Sequence, residues 1–201
     1  KLKSNTPQNL YLSNFEEYGI SIINLNGIYF NHFMAPFKGY VNNAGGAITQ
    51  CDYIPIKCAG LTDNDPDTAA APTPLAPVGG NNAQLYMIAK LMKNSQMTRL
   101  FSNLKTFEYD LAMCGNNLSV MAEVQLSLVT TNGPIRTTLQ QYVNTNWNNE
   151  TPQNKATASL WLLNHIEKGE FAQKLSQRLS ESNTIFCIPD YIVAAVSWLI
   201  D

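Results

Sequence analysis

The chain has 201 residues, 45% of them hydrophobic and 14% charged, with a formal net charge of −2. That length points to one domain spanning 1–201, with an extended loop or arm, and it can bury a sizeable core without metals or disulfides. The 13 lysines and arginines are dispersed and no two are adjacent, which excludes the clustered cations that a nucleic-acid groove or an anionic membrane surface requires.

Thr6-Pro7 predicts a helix start, with a hydroxyl cap followed by proline at the first helical position. Tyr11, Phe15 and Tyr18 keep helical spacing, and Gly19 is the expected stop. The β-branched and aromatic residues of Ile20 to Phe33, split by Asn26-Gly27, predict two short strands and a tight turn. Cys51 and Cys58 flank "DYIPIK", where Pro55 favours a turning path, and this spacing makes them the disulfide candidates of an oxidising compartment.

The segment 59–82 reads as a long irregular loop rich in proline and glycine. Asp63, Asp65 and Asp67 imitate the start of a calcium loop. The sixth position is Thr68 rather than glycine and the twelfth is Pro74 rather than glutamate, so no metal is expected. Pro72, Pro74 and Pro77 bias the stretch toward polyproline II, which loses little entropy on docking, and they are candidate partner contacts. With few large apolar residues, this stretch is expected to be mobile until a partner orders it.

Asn81 or Asn82 is read as the cap of a helical region. Its apolar face runs through Leu85, Ile88 and Met92, restarts at Ser95, and continues to Met113 before Gly115. In "LSVMAEVQLSLV", Leu118 to Val129, apolar residues fall on alternate positions, which predicts a half-buried antiparallel strand. Residues 135–143 fit either a return strand or a short helix. Thr151-Pro152 repeats the helix-start signal; Leu160, Leu163 and Ile166 form one face, and Phe171, Leu175 and Leu179 extend it past Gly169. The N-glycosylation triplets at Asn117 and Asn149 are no more frequent than chance in a chain with 23 asparagines.

Pro189-Asp190 caps a last helix, Tyr191 to Ile200, which is apolar all round apart from Ser197. A surface helix would show one polar face. Tyr191, Ile192, Val196, Trp198 and Leu199 are therefore expected to pack on another element or on a partner. A membrane role arises only if this helix is part of a longer apolar span.

The predicted fold class is α+β: a small antiparallel sheet that includes residues 118–129, packed with several helices. No nucleophile, phosphate-loop or metal-ligand pattern appears, so no catalysis and no cofactor are expected. The leading functional expectation is a non-catalytic structural subunit of a multiprotein assembly, in the periplasm or outside the cell. A bacterial cell-envelope apparatus for secretion or conjugation suits the neutral, asparagine-rich surface and the cysteines. Its partners would be other protein subunits, further copies of the chain included, and not nucleic acid. A viral coat subunit in a virion, and an enzyme whose site is assembled only by folding, are the alternatives.

Overall fold

The computed structural model describes residues 15–25, 30–42, 48–80, 95–181 and 184–201. Their architecture is mixed α and β and helix-rich: seven α-helices and two separate two-stranded sheets among the described residues. They gather into two compact units. The first takes in Asp67–Val78 and Leu104–Pro189; the second takes in Asn14–Pro66, Gly79–Asn103 and Asp190–Asp201.

The first unit is helical. It contains α2 (Phe107–Met113), α3 (Asn117–Leu128), α4 (Pro134–Asn144), α5 (Pro152–Leu163) and α6 (Lys168–Glu181). Thr106 caps α2 by accepting from the Tyr109 amide, and Thr151 caps α5 by accepting from the Asn154 amide, with Pro152 in the first turn as the sequence predicts. Residues 135–143 are resolved as helix. The core is built from Leu118, Met121, Ala122 and Val124 of α3, Leu139 of α4, Leu162 of α5, and Phe171 and Leu175 of α6, with Trp147 and Phe186.

Residues 118–129 are helix, not strand, and this corrects the clearest local prediction. The buried set is Asn117, Leu118, Met121, Ala122, Val124 and Gln125, which recurs at helical intervals. Helix α3 packs against α2, α4 and α6, so apolar side chains are useful on most of its circumference. Val120, Leu126 and Leu128 are also packed on the core. A helix covered on several sides loses its amphipathic period, and a chance alternation then imitates a strand. Asn117, 1% exposed, is closed to glycosylation in the folded state.

The second unit holds α1 (Phe30–Met34), the antiparallel pair β1 (Tyr40–Asn42) and β2 (Ile48–Gln50), the parallel pair β3 (Cys58–Thr62) and β4 (Thr98–Ser102), and α7 (Asp190–Ile200). The expected second strand before Phe33 is replaced by α1, and Ile20 to Leu25 form no strand. Glu16–Tyr18 is a single 3-10 turn, closed by Gly19 at φ +68°, the stop the sequence predicts. Helical spacing through Met97–Phe101 is also overturned: β4 pairs in register from Cys58↔Thr98 to Thr62↔Ser102. Gly60 makes this packing fit, because a β-carbon there would meet Leu100 at 2.8 Å and Phe30 at 3.0 Å. The predicted helix at Thr6-Pro7, the turn at Asn26-Gly27 and the helix through Leu85, Ile88 and Met92 lie outside the described residues.

Helix α7 lies on β3 and β4. Ala195, Val196 and Trp198 are buried, whereas Tyr191, Ile192 and Leu199 are half-buried. Phe101 of β4 meets the Trp198 ring at a centroid distance of 6.3 Å. Lys57 Nζ and Arg99 Cζ lie 5.5 and 5.1 Å from the same ring, and Lys57 also donates to the Trp198 carbonyl at 3.1 Å. The apolar helix thus finds its cover within its own unit. No helix among the described residues is long and apolar enough to cross a membrane.

Candidate functional site

The proline-rich stretch is held by specific bonds from residues far along the chain, which its composition does not suggest. In the second unit, Asn103 donates from its side chain to the Asp63 carboxylate and accepts the Asn64 amide at 3.0 Å. Asp63 therefore serves as an acceptor for Asn103, and Asp67 accepts the Ala69 amide at 2.9 Å in a local turn. Among the described residues no group of three or more His, Cys, Asp or Glu could hold a metal.

The first unit carries the more specialised part. Thr73 and Ala76 exchange backbone hydrogen bonds of 3.2 and 3.1 Å, and Thr73 Oγ1 accepts the Ala76 amide at 3.0 Å. These bonds close a tight turn with Pro74 and Leu75 at its tip. Proline suits the first corner because its φ is preset, and Thr73 completes the turn with its hydroxyl. Leu75 at the second corner is 87% exposed.

Two buried residues hold the segment that leads into this turn. Tyr109 of α2, wholly buried, donates its hydroxyl to the Pro72 carbonyl at 2.8 Å. Lys105, 4% exposed, donates its ammonium to the Asp67 carbonyl at 2.8 Å and the Thr68 carbonyl at 3.2 Å. Asp110 fixes the origin of both, accepting the Leu104 and Lys105 amides at 3.0 and 3.2 Å. Burial, and then the neighbouring Asp110 charge, push the Tyr109 phenol well above its ordinary range, so it stays a donor. A buried lysine is costly unless its donors are met, and here two loop carbonyls meet it.

The sequence-predicted contacts therefore separate. Pro72 is buried beneath the turn. Pro74 and Pro77 are exposed on either side of Leu75. Trp198 and Val196 are engaged inside the second unit. Tyr191, Ile192 and Leu199 keep part of their surface. Leu75, Lys105 and Tyr109 were missed; the exposed leucine between two prolines was the one local signal.

The second unit adds exposed apolar side chains of its own: Ile22, Ile23, Phe33, Tyr53, Ile54 and Ile56. The bridge expected between Cys51 and Cys58 is not formed, and both are thiols. Each is committed to a different backbone pairing: the Cys51 amide donates to Gly39 beside the β1–β2 pair, and the Cys58 amide donates to Met97 at the start of the β3–β4 pair. Burial raises the Cys58 thiol above its ordinary value, which disfavours the reactive thiolate.

Comparison of the chain with protein-family models, with curated proteins and with solved structures finds no match.

Proposed function

We propose that the protein is a non-catalytic subunit of a multiprotein assembly and docks through the braced turn at Thr73–Ala76. The observation that carries this reading is Leu75, a large apolar side chain 87% exposed on a turn whose lead-in segment two buried polar residues hold in place. Burying such a side chain fully is worth about 1.5–3 kcal/mol. A preset turn loses little entropy on docking, so most of that gain reaches the complex. Anchors of this kind concentrate binding energy at a small part of an interface. Exposed Pro74 and Pro77 widen the same contact, and the isoleucines of the second unit offer further apolar surface.

The asparagine-rich, weakly charged exterior supports a cell-envelope setting, and secretion or conjugation machinery is the proposed context. Helix α7 adds nothing to the assembly reading, since its apolar face is already covered. Four short strands in two pairs among the described residues do not favour a coat jelly roll, which needs about eight strands.

The test is a photo-crosslinker placed at position 75 in the living source, with one at exposed Lys174 of α6 as the control. A discrete protein adduct from position 75 alone is expected. The same adducts from both positions, or none from either, overturn the reading.

A further inference from the structure

Cys114 ends α2 and Cys187 lies on the segment that precedes α7, yet the fold brings the Cys187 thiol against Gly115, the residue that follows Cys114. The instrument of this approach is Asn117, the buried second residue after Gly115. Its side-chain amide donates to the Cys187 carbonyl at 2.8 Å and to the Leu111 carbonyl at 2.9 Å, and its oxygen accepts the Cys187 amide at 2.7 Å. That double bond to one residue pins Cys187 against the turn formed by Cys114, Gly115 and Asn116. Cys187 Sγ then lies so near Gly115 that a β-carbon there would meet it at 2.3 Å. Gly115 itself has φ +52°, a left-handed turn that glycine adopts without strain.

A cation completes the group. Lys155 of α5 donates its ammonium to the Gly115 carbonyl at 2.7 Å. Burial lowers its pKa below the ordinary lysine value, and the Cys114 and Cys187 charges oppose that change, which places the ammonium in the field of both sulfurs. Cys114 is half-exposed and Cys187 is 6% exposed, so one thiol meets solvent and the other waits behind it. An accessible thiol beside a second cysteine that can resolve it is the usual form of an oxidant-responsive pair.

We propose that Cys114 and Cys187 form a redox-responsive dithiol site that takes a hydroperoxide as oxidant and closes a disulfide. The Cys114 thiolate attacks the outer peroxide oxygen; the S–O bond forms, the O–O bond breaks, and the alkoxide leaves and takes a proton to become the alcohol. The Cys187 thiol then attacks the sulfenic sulfur; the S–S bond forms, the S–O bond breaks, and hydroxide leaves with the Cys187 proton as water. A dithiol reductant reverses the change with two electrons. Lys155 is a positioning residue that favours the Cys114 thiolate. Closure tethers the segment two residues before Pro189 and so fixes the chain just ahead of α7.

The full-length protein is treated with dilute hydrogen peroxide, blocked with N-ethylmaleimide and mapped by peptide mass spectrometry. The expected result is a linked peptide joining Cys114 to Cys187, with Cys51 and Cys58 alkylated, and recovery of all four thiols with dithiothreitol. Lys155→Gln removes the cation beside the pair and should slow closure about threefold or more. Cys114→Ser should yield no bridge while keeping the wild-type circular dichroism. The proposal is overturned by four alkylated thiols after oxidation, by a bridge elsewhere, by sulfinic acid at Cys114 without a bridge, or by unchanged kinetics in Lys155→Gln.

Discussion

Tyr109→Phe isolates the brace beneath the Leu75 turn. The substitution keeps the ring and removes only the hydroxyl that donates to the Pro72 carbonyl at 2.8 Å. Because Pro72 is buried, its carbonyl then has to be left dry or opened to water. A buried acceptor that loses its donor costs about 1–3 kcal/mol, against about 1 kcal/mol for an average hydrogen bond. Lys105 and the Thr73–Ala76 pairing remain, so the turn should open more often rather than unfold. At about 1.4 kcal/mol per decade, that range means roughly 5- to 140-fold faster exchange at the Ala76 amide. Native-state hydrogen exchange reads this directly, with amides of α3 as the internal reference. Exchange at Ala76 that matches wild type would refute the brace. Acceleration spread equally over α3 would show that Tyr109 supports the core and not the turn.

Trp198→Ala should cost about 3–5 kcal/mol through lost packing, and should speed exchange in β3 and β4 because α7 lies on them. Gly115→Ala places a β-carbon 2.3 Å from Cys187 Sγ at a left-handed φ of +52°, so a loss of about 1–3 kcal/mol is expected in thermal unfolding. Thr151→Ala removes the cap of α5 and should cost about 1 kcal/mol by urea titration. The Tyr109 phenol is raised in the folded chain, so its contribution is complete below its ordinary value of 10.0 and falls as pH climbs above it, where the unfolded chain ionises first. Urea midpoints across pH 9 to 11 should decline less steeply in Tyr109→Phe than in wild type, and equal slopes would contradict that attribution.

What could be read from residues alone follows how local each signal was. Thr151-Pro152 caps a helix through contacts three residues away, and the prediction of α5 needed nothing else. The apolar α7 likewise announced that it had to be covered, although not by what. Residues 118–129 misled because a helix packed on several sides has no polar face to betray its period. Strand β4 exists by pairing with β3, forty residues earlier in register, so its own spacing could not reveal it. The turn around Leu75 was least legible. Its composition matches a solvated linker, and the residues that order it, Lys105 and Tyr109, lie 38 and 37 positions beyond the carbonyls they reach. The approach of Cys187 to Gly115 was hidden for the same reason, since Asn117 joins Cys187 across 70 positions.

Native mass spectrometry of the protein isolated from its own source tests the proposed assembly through Leu75 most directly. The expected result is a defined complex well above the 22.3 kDa of one chain, which falls to 22.3 kDa with Leu75→Asp while circular dichroism is unchanged. A mass of 22.3 kDa for the wild-type protein, or a complex that Leu75→Asp leaves intact, would contradict it.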